Sequence, residues 1–257
     1  MQILLSNDDG IYAPGIQALR NELVKLGDVE VVAPASEQSG VGLGTTYRQP
    51  LMVQEEVRGG AHWGWTVAGR PADCIKLGVL QFCKQKPDLV VSGINAGYNT
   101  GISVLYSGTV AAAIEGAFFG ITSIAVSLAY DDLVPDFEST ARRALDVIGQ
   151  ILATKPQPGS LWNVNFPACR PGWPIGVKTV SLNLNRSTER VEKRLDPRKR
   201  PYYWTGYGSL EGHTMEQGTD VRELADGYVT VTPLHFDLTD RRSLAGLQET
   251  EWKRPAD

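Results

Sequence analysis

Residues 3–32 read ILLSNDDGIYAPGIQALRNELVKLGDVEVV, and this stretch decides the fold. Ile3-Leu4-Leu5 is a short aliphatic run, the form of a strand buried on both faces. Pro14 to Leu26 follows as an amphipathic helix, with Pro near its first turn and Gly27 at its end. Val29 to Val32 is a second aliphatic run. Strand, helix and strand in this order form a βαβ unit, whose strands lie parallel.

The alternation continues outward. Leu51 to Val57 and Trp63 to Val67 suit an inserted hairpin across Gly59-Gly60. Pro71 to Cys83, Thr109 to Phe119 and Phe137 to Ala153 read as helices. Leu89 to Val91 and Ile124 to Leu128 read as strands between them. Lys155-Pro156-Gln157-Pro158-Gly159 closes an α/β core spanning residues 1–155. Residues 156–257 have a different texture. Leu161 to Phe166, Val177 to Leu184 and Tyr228 to Thr232 are expected strands, and Asp220 to Ala225 a short helix. Arg186 to Trp204 is charged and then aromatic, and Gly206 to Gly212 is turn-rich. The second part reads as a β-rich extension of one domain, 1–257, not as a domain of its own.

Composition bounds the partners. With 25 Lys+Arg against 29 Asp+Glu among 257 residues, the net charge of −4 argues against nucleic acid or anionic lipid as a bulk electrostatic partner. The 42% hydrophobic and 21% charged content is that of a globular protein. Cys74, Cys83 and Cys169 are odd in number and show no CxxC spacing, which argues against a disulfide framework or thiolate zinc and for a reducing compartment. No signal peptide is visible, and the apolar stretch Gly116 to Tyr130 is too short to span a bilayer. A cytoplasmic protein without membrane attachment is the expectation.

Four segments that follow strands or open helices carry candidate chemistry. Ser6-Asn7-Asp8-Asp9-Gly10 stands where ligands bind in an open α/β sheet, beyond the carboxyl ends of strands. Two adjacent ionised aspartates repel each other unless a cation is supplied; the competing reading is a helix cap or a turn at Gly10. Pro34 to Gly40 offers the Ser39 hydroxyl. Gly40-Val41-Gly42-Leu43-Gly44 then shares glycines with a dinucleotide loop but lacks the strand–GxGxxG–helix register, so a flexible loop competes. Ser92 to Asn99 brings the amides of Asn95 and Asn99 among small residues, with Asn-based αL turns as the alternative. Tyr106-Ser107-Gly108-Thr109-Val110 opens a helix and suits a phosphate, with plain N-capping by Ser107 as the alternative. Asp8, Asp9, Ser39 and Asn95 offer oxygen only, a set for Mg²⁺, Mn²⁺ or Ca²⁺ and not for zinc or copper. His62, His213 and His235 stand in unrelated contexts, which argues against a histidine metal site or a Ser–His–Asp triad.

Taken together, Asn7 to Gly10, Ser39-Gly40, Ser92 to Asn99 and Tyr106 to Thr109 closely resemble the SurE family of survival-protein nucleotidases. Asn163-Val164-Asn165-Phe166-Pro167, Thr219-Asp220 and Gly227 to Leu234 extend the resemblance over nearly the whole chain. It implies a Rossmann-like three-layer sandwich with a mostly parallel sheet, and a metal-dependent phosphatase of nucleoside monophosphates. Members act on 5′- and often 3′-phosphates, and some trim short polyphosphate. The family's metal ligands match Asp8, Asp9, Ser39 and Asn95, with one divalent cation per subunit, Mg²⁺ or Mn²⁺. Asn99, Ser107, Gly108 and Thr109 would hold phosphate. Ala111 departs from the Gly that some members carry, which puts helix packing near the site in question. The resemblance also implies a homodimer or homotetramer with exchanged C-terminal segments. Arg186 to Pro201, with seven Lys/Arg against three Asp/Glu, then reads as part of an oligomerisation arm around 186–212 and not as a nucleic-acid patch.

The resulting expectation is phosphomonoester hydrolysis by a cation-activated water, with Asp8 and Asp9 as the catalytic pair. Direct attack by an aspartate is the alternative chemistry, although the DxD spacing associated with it is absent. A phosphate- or nucleotide-sensing module without turnover is the rival from another class. Paired carboxylates weigh against it, because anion capture works best away from negative charge.

Overall fold

The computed structural model describes residues 1–130, 134–185, 189–207, 215–252 and 254. The expected βαβ start is present: β1 (Gln2–Ser6), α1 (Pro14–Leu23) and β2 (Asp28–Pro34), with β1 and β2 parallel. The hairpin follows as β3 (Val53–Arg58) and β4 (Ala61–Val67), then α2 (Pro71–Leu77), β5 (Leu89–Ala96), α3 (Gly108–Phe118), β6 (Thr122–Leu128) and α4 (Phe137–Ala153). The remainder comprises β7 (Leu161–Phe166), β8 (Val177–Thr179), β9 (Glu189–Leu195), β10 (Pro201–Tyr207), α5 (Asp220–Ala225), β11 (Val229–Leu234) and α6 (Arg241–Leu247).

Nine strands form one sheet in the order β3-β4-β2-β1-β5-β6-β7-β11-β8, mostly parallel, with β3 and β11 running against their neighbours β4 and β7. The chain leaves β1 toward β2 and β4, then returns to place β5 on the other side of β1. That reversal is the topological switch point, where such sheets open a crevice for ligands. Alternation along β1 supplies two cores. Ile3 and Leu5 pack with Ile16, Leu19 and Leu23 of α1 and with Ala144 and Val147 of α4. Leu4 points the other way, to Ile75 of α2 and Ala112 of α3. The molecule is thus the three-layer, Rossmann-like sandwich.

Several boundaries differ from expectation for visible reasons. α1 stops at Leu23, and Leu26 N–H tightens back to Leu23 O at 2.9 Å. The helix expected to reach Cys83 is α-helical only to Leu77. It widens into a π-type turn over Gly78–Phe82, closed by Cys83 N–H on Gly78 O at 2.9 Å. The strand expected from Val177 to Leu184 ends at Thr179: Val180 N–H still reaches Val231 O at 3.1 Å, Ser181 bridges to Thr219, and Asn183 N–H goes to the Asp220 carboxylate at 2.8 Å. Helix α6 is an addition to the expected elements, although Asp240 is a capping residue that accepts from Arg242 and Ser243 N–H. β9 and β10 form a separate two-stranded sheet. Both flanks of that arm, most of the turn-rich 206–212 segment and His213 lie outside the described residues.

Candidate active site

The carboxyl ends of β1 and β5 meet at a cavity of about 450 Å³. Asp8, Ser39, Asn95, Asn99 and Ser107 all line it, together with Tyr98 and Tyr106. Asp9, Gly108 and Thr109 lie beside or behind this lining.

The β1 loop is shaped by its first residue. Asn7 Nδ2 donates to Gly10 O at 2.9 Å and its Oδ1 accepts Gly10 N–H at 3.2 Å, folding Asp8 and Asp9 into a tight turn with Gly10 at φ +97°. Neither aspartate caps α1. Its N-cap is Ala13, which has no side-chain hydrogen bond. Asp8 is only 4% exposed. It accepts hydrogen bonds from the hydroxyl and the backbone N–H of Thr109. Burial outweighs these donors, and the neighbouring Asp9 charge adds to it, so the Asp8 carboxyl is pushed up to about 6. Asp9 is also raised by burial and by Glu37, against a hydrogen bond from Ala96 N–H at 3.1 Å.

The opening of α3 serves Asp8 first. A Cβ on Gly108 would stand 2.7 Å from Asp8 Cβ and 2.9 Å from Oδ2, so only glycine lets the helix start approach this carboxylate. Thr109 is fully buried, and its hydroxyl is used by Asp8. Ser107 caps the helix, its Oγ accepting Val110 N–H at 3.2 Å, while its residue still lines the cavity.

Asn95 is delivered by an irregularity in β5, where the register with β6 shifts between Ser92 and Asn95. Gly93 makes this bulge feasible, since its φ is +140° and a Cβ would fall 2.2 Å from Val126 O. The expected alternative of αL asparagines does not hold: Gly93 and Gly97 take the positive φ values. Asn95 Nδ2 donates to Gly97 O at 2.8 Å, which leaves its amide oxygen for the cavity. Ser39 donates to Glu37 Oε1 at 2.6 Å, and the oxygen keeps its lone pairs. The Gly-rich 40–44 loop is anchored, not loose, by Gly42 N–H on Tyr106 O at 2.9 Å, and no helix follows it.

The sequence alone assigns no role to the residues that hold Asn99. Its N–H donates to Asn165 Oδ1 at 2.7 Å, and its Nδ2 to Ser127 Oγ at 2.8 Å. Its carbonyl accepts from Asn163 and Asn165. Asp220 accepts the N–H groups of Gly101 at 2.6 Å and Asn183 at 2.8 Å, tying two stretches of cavity wall together. Asparagines at alternate positions of a buried strand such as β7 are the signal that would have found part of this network.

The donor set fits a divalent cation. Among the described residues the cavity lining contains a buried carboxylate, amide and hydroxyl oxygens, and no lysine or arginine. No group of three or more His, Cys, Asp or Glu side chains suited to a metal occurs among the described residues, so substrate oxygens and neutral donors would complete any shell here.

Fold and site together define a class: a doubly wound α/β protein whose ligand crevice, at the switch point of its sheet, is built on acidic and neutral oxygen donors. The family model for survival protein SurE matches residues 3–189. The chain is 52% identical over 240 residues to 5′-nucleotidase SurE of Rhodopirellula baltica, covering 93% of this chain and 94% of that protein. It is 47% identical over 254 residues to 5′-nucleotidase SurE 1 of Thermus thermophilus, with 97% and 98% covered. The crystal structure of the SurE protein from Aquifex aeolicus superposes with a TM-score of 0.82 at 40% identity, covering 97% of this chain and all of that one. The chain belongs to the SurE family.

Proposed function

We propose that this protein is a divalent-cation-dependent phosphomonoesterase that hydrolyses nucleoside monophosphates to nucleoside and orthophosphate. One observation carries the reading. Among the described residues the cavity lining presents the buried Asp8 carboxylate and no lysine or arginine, so a bound cation that reverses the local sign would favour entry of a phosphate dianion. The relatives named as 5′-nucleotidases support the substrate class. Capture of phosphate without a cation would gain nothing from that carboxylate.

Asp8, Asp9, Ser39 and Asn95 would hold one Mg²⁺ or Mn²⁺, which when bound supplies charge neutralisation of phosphate oxygens and a lowered pKa for water. Asp8 is fixed by the start of α3 and serves as the anchoring ligand. Asp9 is held by a single N–H from Ala96 and so has an oxygen left to take a proton from the attacking water. Asn99 is immobilised through Asn163, Asn165 and Ser127, and it orients the phosphate with Ser107 and the Gly108 approach. Thr109 acts through Asp8. Tyr98 and Tyr106 flank the space left for the nucleoside. Both 5′- and 3′-nucleotides are phosphomonoesters and fall within this chemistry, as does the terminal group of short polyphosphate. The separate β9–β10 sheet, with Tyr202, Tyr203 and Trp204 exposed, supports a homo-oligomer assembled through this arm. Three unpaired cysteines and no described helix long and apolar enough to cross a membrane suit a cytoplasmic enzyme.

The test is phosphate release from a panel of 5′- and 3′-nucleotides with Mg²⁺, Mn²⁺ or EDTA, beside Asp9→Asn. The expected result is cation-dependent release from nucleotides, abolished by EDTA and in the variant, with the fold retained. Nucleotide binding without release under any metal would transfer the assignment to a sensing module. Full activity in Asp9→Asn would remove the role given to that residue.

A further inference from the structure

Nothing in the proposed chemistry uses the β3–β4 hairpin, yet its side chains reach the loop that carries both carboxylates. Arg58, at the end of β3, donates from Nη2 to the carbonyl of Ile11 at 3.1 Å, two residues past Asp9. Its Nη1 donates to Gln17 Oε1 on α1 at 3.4 Å, and its Nε to Glu56 Oε1 at 3.2 Å. Glu56 also accepts the Tyr12 hydroxyl through Oε2 at 2.8 Å. The guanidinium lies 3.5 Å from the ring centre of the buried Trp63, and Arg20 of α1 lies 5.6 Å from the same centre. Packing and three acceptors from separate parts of the chain therefore fix this planar fork.

The other side of the same residue is also held, because Ile11 N–H donates to Pro34 O at the end of β2 at 2.9 Å. Ile11 is thus clamped between β2 and Arg58, and only Gly10 separates the clamp from Asp9. Asp8 has its own brace in Thr109, and its carbonyl accepts Gln38 N–H at 2.7 Å. Among the described residues, Asp9 has only the Ala96 N–H. The direction of the Asp9 carboxylate follows from how the chain leaves it, through Gly10 to Ile11 and Tyr12.

We propose that Arg58 is a positioning residue for the cation site: together with Glu56 and Tyr12 it braces the loop after Asp9 from the outer edge of the sheet, without touching substrate or cation. The proposal rests on the reading of the cavity as a cation-dependent phosphomonoesterase site. Lysine would not replace the fork, since a single ammonium cannot serve the Ile11 carbonyl, Gln17 and Glu56 while lying flat on Trp63.

The experiment uses the full chain as wild type, Arg58→Met, Arg58→Lys and Tyr12→Phe. Mn²⁺ binding is measured without nucleotide from the free-ion electron paramagnetic resonance signal. Melting temperature is recorded beside it, as are kcat and KM for a nucleoside 5′-monophosphate at saturating Mn²⁺. Arg58→Met is expected to weaken Mn²⁺ binding and lower kcat, each by about tenfold or more, the scale seen when a group behind a metal ligand is removed. KM stays at the wild-type value. Tyr12→Phe moves Mn²⁺ affinity and kcat the same way by a smaller factor, and Arg58→Lys recovers part of the loss. Wild-type Mn²⁺ affinity and kcat in Arg58→Met, with only the melting temperature lowered, would reduce Arg58 to a structural brace and overturn the proposal. Should Arg58→Met fail to fold, unchanged Mn²⁺ affinity in Tyr12→Phe overturns it equally. Failure of the underlying reading looks different: the wild-type chain itself would bind no Mn²⁺ and release no phosphate.

Discussion

The β3–β4 and β9–β10 hairpins are nearly equal in length, six and seven residues against seven and seven, and both mix charged side chains with apolar and aromatic ones. β4 docks parallel to β2 and becomes part of the nine-stranded sheet, whereas β9 and β10 pair only with each other. Their ionic contacts differ in the same way. In the first hairpin the local pair of Arg58 and Glu56 is joined by polar contacts that cross between elements, Tyr12 to Glu56 and His62 to both Glu30 and Glu55. Among the described residues of the arm the ion pairs are local, Arg194 to Glu192 and Arg200 to Asp196, and Arg194 also meets Tyr202 of the facing strand. Alternation thus makes a hairpin, but what docks it is a place for its backbone and partners from elsewhere in the chain. At β4 that place is Gly64, whose absent side chain lets the strand lie against Val31.

Gly64→Ala tests the docking directly and carries the largest expected effect. An added Cβ would stand 2.5 Å from Val31 O and 2.7 Å from Val31 Cβ. Overpacking of this kind costs about 1–3 kcal/mol, and a urea titration should show the midpoint fall with the slope unchanged. An unshifted midpoint would mean that the hairpin is held by its side-chain contacts alone.

His62 gives a smaller, pH-dependent effect. Partial burial lowers its pKa, but hydrogen bonds and charge from Glu30 and Glu55 prevail and raise it above the ordinary 6.5. A raised folded pKa gives stability that is fully present below the unfolded value and lost as pH rises through the folded one. The difference in melting temperature between wild type and His62→Gln should therefore be largest near about pH 6 and shrink toward about pH 9. A constant difference would show that the ring acts by packing. The smallest effect belongs to the arm: Arg194→Ala, which removes an exposed local pair, should leave the melting temperature unmoved. A clear drop would show that the arm is braced in a way its isolated sheet does not suggest.

What the sequence disclosed follows the same division. The strands whose carboxyl ends lead to the site, β1, β2 and β5, are readable, because a local run of apolar residues marks the strand and the next few residues mark the edge. Local pattern alone therefore assigns Asp8, Ser39 and Asn95 to one rim. Groups that act through distant pairing are not readable in their roles. Thr109 is expected beside phosphate, but its hydroxyl is bound to a carboxylate 101 positions away. Asn165 acts on Asn99 across 66 positions, and Asp220 on Gly101 across 119. Glu37 stands beside Ser39 in sequence without an assigned role, because nothing local shows that its charge bears on Asp9. The short β8 departs from expectation in the same way: its residues favour a strand, but past Thr179 the chain takes partners distant in sequence, Thr219 and the Asp220 carboxylate.

The strand order also has a consequence for the newly made chain. β11, at residues 229–234, lies between β7 and β8, which are synthesised well before it. Until it emerges, β7 is left as an open edge, and the neighbouring α5, with the Asp220 that ties Gly101 to Asn183, is only just leaving the ribosome. At about 5–20 residues per second, translation therefore holds the cavity wall unfinished for roughly 10–40 s after the carboxylates are made. A nascent or prematurely terminated chain therefore carries the Asp8–Asp9 loop without the Asp220 tie that joins two stretches of the cavity wall.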